Sequence, residues 1–462
     1  MSRRMTTRAQ VSGYRFGLTR AEHALVRRDV RLLHDPMRSQ SRALVTGVVI
    51  AVLILAGAGV YGLIRPAPSV GDAQIVTDPG GAMFVRIDEV MHPVLNLASA
   101  RLVVGSPASV KAVSAASLRE HPRGPTLGIP GAPASLPGAA DDGDSAWTVC
   151  DGADGTVVLA GVDPRAAPAD TGVLVVDGDE RWLLYNDRRG DVSVPVKARV
   201  DTSRIEVLRA LGLEGAEPRE VSAALLDTFP QVPALEVPDV PERGAPGPLG
   251  AVVGTVIRTA TAAGAYVYRV VLADGVQQVP ETAADVLLAV DSASPTIRDV
   301  SSADLTSVRA VDGLPVGHFP DDAPTMRGGS DSVVCRHWAR RRDESARERL
   351  VVADRLPVSG SGTPVRLGSA DGPGSGVDGF YLAPGTAEYV ALTGIRADSP
   401  LAGQRFLITD TGVRHRLAGG DAATSLGLSD TPLRAPWSVI SLVPEGPELS
   451  RVAALTMRDV VR

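Results

Sequence analysis

ALVTGVVIAVLILAGAGVYGLI, residues Ala43–Ile64, contains no charged residue. At ~1.5 Å of rise per residue, a helix over this stretch is long enough to cross the ~30 Å apolar core of a bilayer. A single segment crosses only as a helix, because lipid offers no partner to bare backbone groups. The stretch therefore divides the chain into a short tail, residues 1–42, and a large body, residues 65–462.

Charge gives the span a direction. The tail holds Arg3, Arg4, Arg8, Arg15, Arg20, Arg27, Arg28, Arg31, Arg38 and Arg42 against Glu22, Asp29 and Asp35, so it is +7. The chain as a whole is −6 and the span is neutral, which leaves −13 beyond it. Basic residues stay on the cytoplasmic side of a span. The tail is thus expected in the cytoplasm and the body in the periplasm. Ala56-Gly57-Ala58 also fits a signal-peptide cleavage site. The basic region is about twice the usual signal length, however, and holds a helix of its own, so a retained single-pass anchor is expected.

The body is rich in turns, with 48 Gly and 35 Pro in the chain and aromatics at only 4%. An acidic body argues against nucleic acid as a partner. Two cysteines, Cys150 and Cys335, both lie beyond the span. In an oxidising compartment one disulfide is the simplest outcome, and two separate buried thiols are the alternative. Cys335-Arg336-His337 sets two ligand types together. No Cys or His lies near Cys150 to complete a tetrahedral metal set, so no metal is expected.

Residues 19–35, TRAEHALVRRDVRLLHD, suggest an amphipathic helix. Thr19 and Glu22 have capping-box spacing. Ala21, Leu25 and Leu32, flanked by Val26, Val30 and Leu33, make an apolar stripe. Pro36 marks an end or kink. Such a helix rests on anionic lipid or docks on a membrane partner. Arg65-Pro66-Ala67-Pro68-Ser69 is a stiff linker.

The body shows weak internal repetition. A short strand, a turn and a second strand recur, followed by a small helical segment. Tyr268–Val279 turns at Asp274-Gly275, and Phe406–Leu417 turns around Asp410-Thr411-Gly412. Trp182–Val196, around Asn186-Asp187, and Met83–Leu97 are looser copies. Proline-rich closings follow at Ser117–Pro130, Ser222–Pro238, Thr306–Pro320 and Val439–Leu449. Strands expected at Trp147–Gly161, Leu249–Thr259, Asp331–Ala339, Arg349–Val358 and Val377–Leu392 make a separate β-rich centre, which holds both cysteines.

The fold class is thus α+β. It comprises a cytoplasmic amphipathic helix, one transmembrane helix and a periplasmic central β-rich domain with four small α/β repeats. The divisions are tail 1–42, span 43–64, linker 65–80, repeats at 81–135, 179–240, 263–322 and 401–462, and central parts at 136–178, 241–262 and 323–400.

Gln10-Val11-Ser12-Gly13-Tyr14-Arg15-Phe16, then Ala24–Asp29, then His34–Arg42 with its Arg38-Ser39-Gln40, form a long specific tail pattern. With the span, the four repeats, the cysteine pair and the Leu382-Ala383-Pro384-Gly385 turn, the chain resembles the EccB family, a membrane component of type VII (ESX) secretion systems. The resemblance covers nearly the whole chain. It departs at Pro384-Gly385-Thr386, which has one proline where a pair is expected. The resemblance implies an oligomeric inner-membrane core complex. Its partners would be an FtsK/SpoIIIE-type motor ATPase, a polytopic component with a ubiquitin-like head, a two-span component and a mycosin protease. The tail would dock on the motor through Tyr14, Arg15, Phe16, Leu25, Arg27, Arg28, Asp29, Asp35, Pro36, Arg38 and Gln40.

Some members of the family carry the name ATPase. A P-loop needs a glycine-rich turn, a lysine and then Ser or Thr for magnesium. Lys111 follows Gly105–Val110 but precedes Ala112, and Lys197 follows a proline in a strand. Gly374–Gly379 matches the dinucleotide fingerprint in letters alone, lacking a strand before it and a helix after. Asp141, Asp142 and Asp144 lack the closing glutamate of a calcium loop. The histidines are dispersed, and no Gly-x-Ser-x-Gly elbow occurs. No catalytic residue or cofactor is expected. Within the span, Gly47 with Ala51 and Ala58 with Gly62 are small pairs that let helices approach. A scaffold subunit is the leading function. An ATP-hydrolysing subunit and a cell-wall-binding protein are the alternatives.

Overall fold

The computed structural model describes residues 7–28, 36–64, 69–136, 144–189, 192–262, 264–290, 296–329, 332–358, 362–372, 374–393, 403–429 and 431–459. It separates into Met1–Ser69 and Val70–Arg462.

The first unit holds two helices, α1 (Arg8–Arg27) and α2 (Pro36–Ile64). α1 starts eleven residues before the expected Thr19. The Gln10 side chain accepts from the Thr7 N–H at 3.0 Å, while Thr19 lies mid-helix and its hydroxyl donates to the Arg15 carbonyl. The helical period therefore already runs through Val11 and Tyr14, and Arg28 ends it in a left-handed conformation at φ 56°. The expected continuation through Asp29, Val30, Leu32, Leu33 and Asp35 lies outside the described residues, as does the linker 65–68. Pro36 opens α2 rather than closing a helix. Its missing N–H costs nothing at a first helical position, and its fixed φ suits the first turn. α2 thus extends seven residues ahead of Ala43, and Ser39–Tyr61 is apolar and long enough to span a membrane.

Among the described residues of the body, four sheets share one connection order. A leading strand pairs antiparallel with a hairpin. A helix follows, and a short strand then returns parallel to the leading strand. The leading strands are Ile75–Thr77, Thr171–Asp177, Val256–Ala260 and Ala387–Thr393. The corresponding helices are Leu97–Val104, Ile205–Ala210, Glu281–Val290 and Gly420–Leu426. The hairpins turn where the sequence permits left-handed backbone. Gly412 sits at φ 77°, and Asp88 and Glu89 at 47° and 66°. Two consecutive positive φ values match the twist of the flanking strands.

The second hairpin does not turn at Asn186-Asp187. Both residues lie inside the strand Glu180–Arg189, opposite Pro195 and Val194, and the chain reverses between Arg189 and Val192. Each proline-rich closing runs along the free edge of its hairpin. The N–H groups of Met91, Lys197 and Arg414 donate to the carbonyls of Pro122, Pro230 and Pro444, each at 2.9 Å, and Val276 donates to Arg309 in the same place. A proline, with no N–H to offer, is suited to such an edge.

The centre is one six-stranded sheet. Asp144–Gly152 lies between Val333–Arg341 and Gly155–Ala160; Arg347–Ala353 and then Gly379–Tyr381 with Val365–Arg366 extend it outward. The strand expected at Leu249–Thr259 is not part of it. Val256–Ala260 pairs instead with Tyr266–Leu272 and leads the third small sheet. The stretch Val377–Leu392 is likewise divided, with Ala387–Thr393 leading the fourth.

Strand alternation gives each sheet two faces. One face of the centre presents Trp147, Val149, Val334, Trp338 and Phe380. It shares a core with the second and fourth sheets through Trp182, Leu184, Phe406 and Ile408. The second and third sheets share another core, in which Ile205–Ala210 packs on Glu281–Val290. The first and fourth share a third, in which Leu97–Val104 packs on Gly420–Leu426. The segment Met457–Arg458 adds to the first sheet beside Thr126–Leu127.

Candidate functional site

Two regions concentrate the residues singled out from the sequence: the membrane-proximal helices and the middle of the central sheet. On α1, Val11, Tyr14, Leu18 and Leu25 are 43%, 71%, 54% and 84% exposed, so they pack into no core among the described residues. At ~100° per residue these four and Ala21 fall within a sector of about 80°. Tyr14 and Leu25 thus share one face of the helix, about three turns apart. Phe16, also exposed, lies on the opposite side, and Arg15 borders the sector. Val11 and Leu18 complete a face that is hidden when the helix is started at Thr19. The spacing 11-14-18-21-25 was the signal that marked them.

Arg28 is exposed at the end of α1, and Gln40 is exposed on α2. The backbones of Arg27, Pro36 and Arg38 are helical. Asp29 and Asp35 lie outside the described residues. Gly47, Ala51, Ala58 and Gly62 all lie within α2, and a Cβ at Gly47 would meet nothing within 4 Å.

In the centre, Cys150 and Cys335 face each other across adjacent antiparallel strands, and a disulfide joins them. Both are fully buried on the face opposite Trp147, among Val157, Leu159, Val333 and Val351. His337, two residues from Cys335, is a structural residue. One ring nitrogen bonds Thr148 at 2.8 Å, and the other lies 3.3 Å from Asp163. Burial lowers its pKa to about 4 against the opposing pull of Asp163, so the ring is neutral at pH 7.

At the end of Asp144–Gly152, the Asp151 carboxylate ties the centre to the second sheet. It accepts from Arg219 Nη2 at 3.1 Å, from the Ser222 N–H at 2.9 Å and from the Thr156 hydroxyl at 3.1 Å. Asp378 extends the network, accepting from the Thr156 N–H at 2.8 Å and the Gly372 N–H at 2.6 Å. A cleft of about 840 Å³ opens over this network, rimmed by Asp154, Asp177, Glu220 and Arg366. Its buried groups are occupied with one another. The Ser222 hydroxyl, 2.6 Å from that of Thr156, donates to it while Thr156 donates to Asp151, and it accepts from the Leu225 N–H; among the described residues no histidine bonds it to serve as a base.

The two lysines sit apart from any phosphate cradle. Lys111 lies on the exposed strand Val110–Ala112, not at a helix N-terminus. Lys197 is buried against the Trp182 ring at 5.2 Å and pairs with Asp227 at 3.0 Å. Gly374–Gly376 form a bend leading into the strand Gly379–Tyr381, without a helix. Asp144 is 3.5 Å from Arg341, while Asp141 and Asp142 lie outside the described residues. Among the described residues no three His, Cys, Asp or Glu side chains are grouped to hold a metal.

Comparison with known proteins identifies the family. Residues 3–462 match the family model of the type VII secretion system ESX-1, transport TM domain B. The chain is 37% identical to the ESX-3 secretion system ATPase EccB3 of Mycolicibacterium smegmatis, over 99% of this chain and 92% of that protein. It is 34% identical to the ESX-5 secretion system ATPase EccB5 of Mycobacterium tuberculosis, over 99% and 94%. It superposes on a chain of an intact ESX-5 inner membrane complex with a TM-score of 0.73 at 32% identity, covering 100% of this chain and 97% of the other. With the EccB3 dimer of the ESX-3 core complex the TM-score is 0.71 at 32% identity, over 83% and 100%. By sequence along its whole length and by fold, the chain belongs to the EccB family of type VII secretion systems.

Proposed function

We propose that this chain is a structural, membrane-anchored subunit of a type VII secretion core complex, with no chemistry of its own. α2 holds it in the inner membrane. The tail lies in the cytoplasm and docks on an FtsK/SpoIIIE-type motor ATPase. The body stands in the periplasm, where four small α/β repeats hang from a disulfide-pinned centre. The polytopic component, the two-span component and the mycosin are its other partners, and small-residue pairs on α2 pack against neighbouring spans.

The observation that carries this reading is the contrast between the two ends. The body buries its apolar residues in shared cores, whereas α1 leaves an apolar face bare. A bare apolar face on a basic helix next to a span marks a contact with protein or membrane, and supports a docking role. The +7 tail and −13 body support the orientation. Among the described residues, the buried pairing of Lys197, the strand position of Lys111 and the mutually bonded groups of the cleft supply no phosphate-binding loop, which supports a non-enzymatic reading.

Detergent extraction followed by native electrophoresis tests the docking role. Leu25→Asp is expected to release the chain from the full-size complex. A complex of unchanged size and yield refutes it.

A further inference from the structure

The two faces of the central sheet are covered differently. One is packed by the second and fourth sheets. On the other, the cluster around Cys150 and Cys335 draws only Val162, Leu356 and Val358 from outside the sheet's own strands. Strand order explains why these three lie there. Arg347–Ala353 and Val365–Arg366 stand at opposite edges of the sheet, so the chain between them has to cross it. The described residues 354–358 cross on the disulfide face, where Leu356 and Val358 pack. Residues 161–168 cross the same face the other way. They leave Gly155–Ala160, pass over His337 and reach the outer edge of Arg347–Ala353, where the Ala167 N–H donates to the Leu350 carbonyl at 2.9 Å.

Both straps are lightly held. Asp163 pins the first: its carboxylate is 2.8 Å from Arg349 Nη1 and 3.3 Å from His337 Nε2, yet its side chain is 69% exposed. In the second, Leu356 and Val358 are half-buried. Among the described residues its one hydrogen bond between backbone groups is local, from the Val358 N–H to the Leu356 carbonyl at 2.9 Å. Segments with few buried apolar contacts and few backbone bonds open before the rest of a fold. Between the straps runs a groove of about 1050 Å³, lined by residues 164–168 and 351–358. Val351, in that lining, stands directly across from Cys335, and Cys150 lies one strand further in. The strands that carry the two cysteines are paired in register from Val334 with Asp151 to Arg341 with Asp144, so they do not depend on the bridge to stay together.

We propose that Cys150–Cys335 is a redox-sensitive cross-link, reached by a thiol through this groove when the straps part, while the rest of the body stays folded. The thiolate attacks the Cys335 sulfur and bonds to it, and Cys150 leaves as a thiolate. A second thiol then displaces Cys335, so two electrons pass to the protein and the reductant leaves as its own disulfide. Reduction leaves the strands paired and removes the link between the two halves of the centre. The thiol balance of the compartment thereby sets how firmly the centre is held.

The test uses the oxidised full-length chain in detergent. Dithiothreitol is added at a series of urea concentrations below the unfolding transition. New thiols are alkylated and counted by mass, and tryptophan fluorescence reports the fold. Reduction is expected to run at least ~100-fold faster than global unfolding, with little dependence on urea and no change in fluorescence. Asp163→Ala and Leu356→Ala should each speed it at least ~5-fold. Ile408→Val, in the core on the other face, should lower the urea midpoint and leave the native rate within ~2-fold. With glutathione and rapid alkylation, the trapped mixed disulfide should sit on Cys335 and the alkyl group on Cys150. Reduction that rises with urea as steeply as unfolding does would overturn the proposal, and this reading needs no variant. So would an unchanged rate in either strap variant, glutathione mainly on Cys150, or a purified chain whose cysteines are already free.

Discussion

Removing the Asp151 carboxylate should uncouple the second sheet from the centre. In Asp151→Ala, the Arg219 guanidinium loses its counter-charge, while the Ser222 N–H and the Thr156 hydroxyl each lose an acceptor. The side chains of Arg219 and Asp151 are only 5% and 9% exposed, so water replaces little of this. Breaking one partner out of a buried ion pair costs ~3–5 kcal/mol. Arg219 keeps its bonds to the carbonyls of Ser332, Glu220 and residue 151, which places the cost near the lower end. A loss of about 3 kcal/mol corresponds to roughly 150-fold in the unfolding equilibrium. The compact body Val70–Arg462 can be titrated with urea at pH 7 and followed by tryptophan fluorescence. Trp147, Trp182 and Trp338 all lie in the core beneath this contact, so the signal reports on the interface itself. The double variant Asp151→Leu/Arg219→Met, with both charges gone, should recover most of the loss. A loss under ~1 kcal/mol for Asp151→Ala, or a double variant no more stable than the single, would refute the latch.

Three further outcomes follow from buried groups. Burial raises the pKa of Glu388, on the leading strand of the fourth sheet, to about 7, against 4.5 unfolded. The folded state then binds more protons between those values, so its stabilising contribution is complete below pH 4.5 and is lost as pH rises through 7. Glu388→Gln should abolish that fall, on the order of 3 kcal/mol, in stability measured across this window; an unchanged pH profile refutes it. His337 has the opposite sign. Its folded pKa of about 4 lies below the ordinary 6.5, so stability rises with pH between 4 and 6.5, and His337→Gln should flatten that rise in the same titrations. The Cys150–Cys335 bridge closes a loop of 185 residues, for which chain entropy gives at most ~5 kcal/mol. Cys150→Ser/Cys335→Ser should lower the urea midpoint of the body, and an unchanged midpoint would show that the paired strands hold without it.

The span and the basic tail were legible because both are local. An uncharged run and a count of arginines need no partner to be read. Hairpins at Asp274-Gly275 and Asp410-Thr411-Gly412 were legible for the same reason, since left-handed backbone is a property of the residue. Thr19 and Glu22 have capping spacing, yet Thr7 and Gln10 hold the start of α1 and the helical period runs through both. In Trp182–Val196 cross-strand pairing overrides the local turn preference of Asn186-Asp187.

By itself the sequence determined an anchored protein with a basic tail, an acidic body and a mixture of short strands and helices. Only the tertiary structure decided which strands share a sheet. Val256–Ala260 and Asp144–Gly152 are alike in local pattern, yet one leads a small sheet and the other lies within the centre. A strand's identity lies in its hydrogen-bonded neighbour, and that neighbour is set by burial far along the chain. The same holds for Asp151 with Arg219, brought together by the packing of two sheets, which no local pattern encodes. The Cys150–Cys335 pair was expected from the count of cysteines alone, but its place directly across two adjacent strands of the central sheet was decided by strand pairing.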